Sequence, residues 1–183
     1  MSDRQWSLRQ ATHDDAPHLM PLIERSVLTL QAADYSRSQL EAALGTVYGV
    51  DMALIDDGTY YVVVSDEGKI IGCGGWSRRA TLFGVHQLVR DDTSLRPGID
   101  PARIRAFFID PDWTRRGIAR AILGACEAAA LAKGFTSLSL AATLTGLSFY
   151  RRHGFLDVRL FDTPLPNGEG MPLMTMEKTL MPF

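Results

Sequence analysis

The chain has 183 residues, 46% of them hydrophobic and 22% charged, with a formal net charge of −2. That length suits one domain with a real core, and the balance excludes a chain disordered throughout. A net charge so near zero gives no reason to expect nucleic acid or an anionic membrane as the main partner.

Two cysteines, Cys73 and Cys126, lie far apart without metal-ligand spacing, and both fall in apolar patterns. They read as small buried side chains, not as a disulfide scaffold or a metal site. The opening Met1-Ser2-Asp3-Arg4-Gln5-Trp6 has no apolar core of a signal peptide. No apolar run reaches the ~18 residues of a membrane helix. A cytoplasmic protein of one domain, residues 1–183, is expected.

In chain order, Trp6 to Gln10 alternates like a strand. Thr12 then resembles an N-cap, with Asp15 three residues on, ahead of Leu19, Leu22, Ile23 and Val27 at helical spacing. Ser36 to Leu44 gives a second short helix, with Ser36 as cap and Gly45 as stop. Tyr60 to Val64 and Lys69 to Trp76 predict a hairpin turning at Asp66, Glu67 and Gly68. Gly72, Gly74 and Gly75 weaken the return strand and suggest close approach of a backbone or ligand. Residues 77–102 are polar and long for a connection, which admits a lid or substrate loop or plain surface variation. Ile104 to Ile109 is a strand, Thr114 to Lys133 a helix closed by Gly134, and Phe135 to Leu140 a strand. Thr143 to Arg152 is a short helix, and Phe155 to Leu160 and Met171 to Thr179 are the last strands. The order β-α-α-β-β-β-α-β-α-β-β is an α/β arrangement of the α+β kind, a mixed sheet with helices on its faces rather than a run of βαβ units.

Two segments carry chemistry. After Ile109 comes the turn Asp110-Pro111-Asp112-Trp113, then Thr114-Arg115-Arg116-Gly117-Ile118-Ala119, and then a helix. A helix N-terminus presents unpaired N–H groups and positive potential, and Gly117 and Ala119 leave them uncovered. With Arg115, Arg116 and Arg120 nearby, this is a place for a diphosphate; taken alone, it is equally a helix start with small packing residues and solvated arginines. The Gly-Lys-Ser/Thr ending of a P-loop is absent, as is the three-glycine dinucleotide fingerprint, which counts against a nucleotide-binding enzyme. Downstream, Phe149-Tyr150-Arg151-Arg152-His153-Gly154-Phe155 places a tyrosine near the end of a short helix, just before a Gly-Phe strand entry. Alone, Tyr150 reads equally as an amphipathic core residue.

Together the two segments resemble the GNAT superfamily of N-acetyltransferases. Phe107 to Ala119 is similar to that family's central strand and Gln/Arg-x-x-Gly-x-Gly/Ala loop, and Phe149 to Phe155 to its late Tyr-x-x-x-Gly-Phe segment. The resemblance implies a splayed central strand and helices on both faces. It implies acetyl-coenzyme A as co-substrate, with the pantetheine arm along Phe107, Phe108 and Ile109 and the pyrophosphate on Arg115, Arg116, Gly117, Ile118, Ala119 and Arg120. It implies no metal, and an amine acceptor that is a small molecule or peptide, attacking directly in a ternary complex with Tyr150 as acid to the sulfur. Homodimers are common in the family, so a homodimer is one option. The alternative is a non-catalytic acyl-coenzyme A-binding or sensing module.

Three positions depart from the pattern. Thr114 replaces Gln or Arg, Thr143 stands where many members have an Asn that contacts the pantetheine, and Gly146 stands where Ala is common. The strand also lacks the glutamate base of many relatives, which leaves Glu24, Asp34, Tyr35 and His86 as alternatives without selecting one. Arg78, Arg79, Arg103 and Arg105 suggest either an anionic acceptor or a solvated face, and Trp76 to Arg79 a wall facing the acceptor.

Overall fold

The computed structural model describes residues 5–85 and 90–181. Seven strands form one sheet in the order β1-β2-β3-β4-β5-β7-β6, built from β1 (Trp6–Gln10), β2 (Tyr60–Ser65), β3 (Ile70–Ser77), β4 (Ala102–Ile109), β5 (Ser137–Thr143), β6 (Leu156–Pro164) and β7 (Gly170–Thr179). All neighbours are antiparallel except β4 and β5. Among the described residues the α-helices are α1 (Ala16–Leu30), α2 (Arg37–Ala43), α3 (Met52–Asp56), α4 (Ile118–Ala132) and α5 (Leu147–Arg152). The mixed sheet with helices on its faces is the architecture expected from the sequence.

Each face of the sheet has its own core. On one side α1 and α2 bury Leu19, Ile23, Val27 and Leu40 with Tyr48 and Phe108. On the other, α4 buries Ile118, Ile122, Leu123 and Cys126 with Trp76, Phe135 and Phe155. Both cysteines are buried free thiols, and burial pushes the Cys73 thiol up to about 12, leaving it protonated and inert at neutral pH.

Local chemistry sets the helix ends. The Thr12 N–H donates to the Asp15 carboxylate at 2.8 Å, and Arg9 grips the same carboxylate through two bonds of 2.8 Å. Ser36 caps α2 by accepting from the Gln39 N–H at 3.1 Å. Two expectations are corrected. The helix predicted from Thr114 starts at Ile118, because Arg115 and Gly117 adopt left-handed φ values of 60° and 77° that no helix continues through. The short α3 was not foreseen; its apolar face is only Leu54 and Ile55, too few residues to show a period.

The glycines of β3 make room for side chains and, at Gly75, for the expected backbone: a Cβ there would stand 2.5 Å from the Thr59 carbonyl oxygen. A Cβ on Gly72 would stand 2.7 Å from the Ile118 side chain, and one on Gly74 2.6 Å from the Phe107 ring. The bare strand therefore lets α4 sit tightly on the sheet and lets Phe107 lie across it.

Candidate active site

The parallel pairing of β4 with β5 consists of two partners, Ala102 with Leu138 and Arg103 with Ser139. Beyond Arg103 the strands part. A cleft of about 870 Å³ opens between them. A bulge against β3 at Cys73/Gly75 coincides with Ala106, whose φ of 56° is left-handed. The Tyr60 hydroxyl donates to the Ala106 carbonyl at 2.9 Å and holds this kink from below. Past the kink, the Asp110 N–H donates back to Ile71 of β3 at 2.9 Å, while the Ile109 N–H faces the other way and finds Ser26 Oγ at 3.3 Å. Strand alternation turns the Phe107 peptide groups the same way as those of Ile109, toward the cleft.

At one end of the cleft stands the N-terminus of α4. Gly117 is its N-cap and supplies no side-chain cap. Arg115, Gly117, Ile118, Ala119 and Arg120 line the cleft there. Ile118 contributes its backbone, since its side chain is core. Arg116 does not line the cleft: its guanidinium stacks on Trp113 at 4.5 Å and reaches Gln5 at 3.3 Å. The turn before α4 is fixed by Asp110, which is buried, accepts from the Asp112 N–H at 3.0 Å, and pairs with Arg25 at 2.6 Å and Lys69 at 2.7 Å. Burial opposes its charge, yet the Lys69, Asp112 and Arg25 partners together hold its carboxyl below the usual range. This agrees with a turn-shaping rather than a reactive Asp110.

Tyr150 enters from α5. Its ring packs edge-on against Phe107 at 6.3 Å, Phe149 at 5.1 Å and Phe155 at 5.5 Å. Burial, with Cys126 nearby, pushes its phenol above the usual range, so it stays protonated at neutral pH. Gly146 has a steric reason: a Cβ there would press on the Tyr150 ring at 3.3 Å. Thr143 lines the cleft, but its hydroxyl oxygen accepts from the Gly146 N–H at 3.1 Å as the cap of the turn before α5.

The other mouth opens on the α1–α2 face, at Leu30, Val47, Tyr48, Phe83, Val85 and Leu173. The sequence offers only residues 77–102 as a candidate lid or substrate loop, because the walls come from the end of α1, two loops and the distant strand β7. Arg105 is here, buried and committed: it donates to the Thr81 and Gly84 carbonyls at 3.2 and 2.8 Å and pairs with Asp51 at 3.0 Å. Arg79 forms a two-bond pair with Asp57 at 2.8 and 2.7 Å, and Arg103 reaches the Ala80 carbonyl at 3.2 Å. Arg78 is exposed, whereas Arg79, Arg103 and Arg105 are committed to protein groups, so the four form neither an anion receptor nor a solvated face. Trp76 is core against Phe135, not an acceptor wall.

The base alternatives also resolve in part. Tyr35 donates to the Pro172 carbonyl at 2.7 Å and accepts from the Leu144 N–H at 2.8 Å; burial raises it to about 12. It is a structural tie. Glu24 is exposed on α1 and does not line the cleft, and Asp34 takes a bond from Thr145 Oγ1 at 2.6 Å. His86 lies outside the described residues. Among the described residues no cluster of His, Cys, Asp and Glu could hold a metal ion, and no helix is long and apolar enough to cross a membrane.

A family model described as the acetyltransferase (GNAT) domain matches residues 56–156, more than half of the chain and the whole of the splayed region. The chain belongs to the GNAT acetyltransferase family. Solved GNAT structures share its fold. A GCN5-related N-acetyltransferase from Rhodopseudomonas palustris is 22% identical, with 98% of this chain and 99% of that one covered at a TM-score of 0.71. The PaiA N-acetyltransferase of Thermoplasma acidophilum, solved in complex with coenzyme A, is 17% identical over 95% and 98% of the two chains, at a TM-score of 0.63. The ribosomal-protein-S18-alanine N-acetyltransferase of Escherichia coli is 15% identical over 97% and 96%, at a TM-score of 0.59. A search of curated proteins finds no match.

Proposed function

We propose that this GNAT protein, as one domain over residues 1–183, transfers the acetyl group of acetyl-coenzyme A to a primary amine by direct attack in a ternary complex. The observation that carries the reading is the parting of β4 from β5 beyond Arg103, with the uncapped N-terminus of α4 at the end of the opening. The backbone groups of Phe107 and Ile109 take the amides of the pantetheine arm, with the Phe108 ring as part of the wall. The pyrophosphate rests on the N–H groups of Gly117, Ile118, Ala119 and Arg120, with Arg115 and Arg120 adding charge and Thr143 beside the arm. Arg116, stacked on Trp113, contributes only long-range charge.

The donor supplies an activated acetyl thioester. The neutral amine nitrogen bonds to the acetyl carbon, and the carbon–sulfur bond breaks with its electron pair on sulfur. Tyr150 passes its proton to that sulfur, the new amide nitrogen sheds one proton to water, and the phenolate recovers one from water. The products are an amide and free thiol. A cytoplasmic location belongs to the same proposal.

Calorimetry with coenzyme A and a thiol-release assay with acetyl-coenzyme A and an amine panel test it. Failure to bind coenzyme A refutes it. The second reading, a non-catalytic acyl-coenzyme A module, is favoured by one observation: no carboxylate lines the cleft among the described residues. Tight coenzyme A binding without thiol release on any amine would select that reading.

A further inference from the structure

The mouth on the α1–α2 face has a definite chemistry. Leu30, Val47, Phe83, Val85 and Leu173 make it apolar. Phe83 is propped by Phe161 of β6, ring to ring at 5.6 Å. The Val85 N–H donates to the Thr46 carbonyl at 2.8 Å, and its side chain stands 2.8 Å from where a Cβ on Gly49 would lie. Gly49 thus lets the wall close in.

The polar groups at this mouth are already engaged. The Tyr48 hydroxyl donates to Gln31 Oε1 at 2.6 Å. Asp51 is shared by Arg105 at 3.0 Å and Arg90 at 3.1 Å, and the Arg105 and Asp51 side chains are only 4% and 2% exposed. A substrate carboxylate drawing on Arg105 would have to compete with Asp51 and with the Thr81 and Gly84 carbonyls for a buried guanidinium whose bonds are already made. A second ammonium would fare no better, since no Asp or Glu lines the cleft among the described residues. Asp34 at the rim accepts from the Thr145 hydroxyl at 2.6 Å. An apolar mouth also disfavours the ammonium form, helping the nitrogen arrive neutral.

We infer that the acceptor is a primary amine on an uncharged apolar group, arylalkyl or branched alkyl, with neither a carboxylate nor a second cation. This inference rests on the acetyltransferase reading. Phe83 and Val85 are the residues that set the preference.

The test measures coenzyme A binding by calorimetry and kcat/KM for phenethylamine, isoamylamine, glutamate and spermidine. The two apolar amines should exceed glutamate and spermidine by about tenfold or more. Phe83→Ala should raise KM for phenethylamine with coenzyme A affinity unchanged, and Val85→Asp should shift the spermidine-to-phenethylamine ratio upward by about tenfold. Coenzyme A binding with glutamate or spermidine equal to or better than the apolar amines overturns the inference and leaves the acetyltransferase reading standing. Coenzyme A binding with turnover of none of the four also overturns it. Loss of coenzyme A binding in the wild-type protein overturns both.

Discussion

Gly74→Ala tests the link between the bare β3 strand and the cleft wall. The new Cβ would stand 2.6, 2.8 and 2.9 Å from Cδ2, Cε2 and Cγ of Phe107. Cγ is one bond from the Phe107 Cβ, so a small rotation of the ring cannot relieve the clash. Overpacking of this kind costs about 1–3 kcal/mol. For a chain of this size that is a fall in Tm of roughly 2–4 °C per kcal/mol. Because Phe107 also packs on Tyr150 and lines the cleft, coenzyme A should bind more weakly as well. Gly124, inside α4 with open space around it, is the control: Gly124→Ala should stabilise by about 0.5–1 kcal/mol. Thermal unfolding of both variants and calorimetry with coenzyme A check the argument. Adding Phe107→Leu to Gly74→Ala should recover part of the Tm. A Gly74→Ala protein with wild-type Tm and wild-type coenzyme A affinity would refute the reasoning.

Tyr150→Phe keeps the ring packing and removes the proton donor, so kcat should fall by roughly 10²-fold with coenzyme A affinity little changed, by stopped thiol-release assay and calorimetry. Since no described carboxylate lines the cleft, kcat/KM for phenethylamine should climb about tenfold per pH unit from about pH 6 to 9, following the neutral amine; a plateau reached well below the amine pKa would instead place a protein base in the proton path. Asp15 is held at about 2 by Arg9 first and by Thr12, below its unfolded value of ~3.9. Its contribution is therefore complete above about pH 4 and lost as pH falls toward 2, and Asp15→Asn should lower stability at pH 7 by roughly 2 kcal/mol while flattening the acid limb in urea melts. Arg105→Met leaves Asp51 with Arg90 alone as its cation and takes the donor from the Thr81 and Gly84 carbonyls, and should cost about 1–3 kcal/mol in urea unfolding.

The end of the cleft at β4 and α4 was legible because it is local. A strand, a turn and a helix start follow one another within Phe107 to Arg120, and helix-end chemistry is written in adjacent residues. Tyr150 needed a second segment but still announced itself by its neighbours Gly154 and Phe155. The exact helix start was not legible, since the left-handed φ of Arg115 is imposed by the fold and no residue type there signals it. The arginines misled for a related reason: Asp57 and Asp51, the partners of Arg79 and Arg105, sit at the two ends of the unforeseen α3.

The mouth on the α1–α2 face was legible only as the option of a substrate loop in residues 77–102, and the topology says why. Its walls are gathered from the end of α1, the segment after α2, the connection before β4 and the strand β7, which lie some 140 residues apart between Leu30 and Leu173. Apolar residues in loops carry no period, so nothing in their spacing separates a pocket wall from scattered surface hydrophobes. What joins them is Arg105, which holds Thr81 and Gly84 and so brings Phe83 and Val85 over the cleft. The buried charge that looked like a receptor for the acceptor is instead the post on which an uncharged pocket is hung.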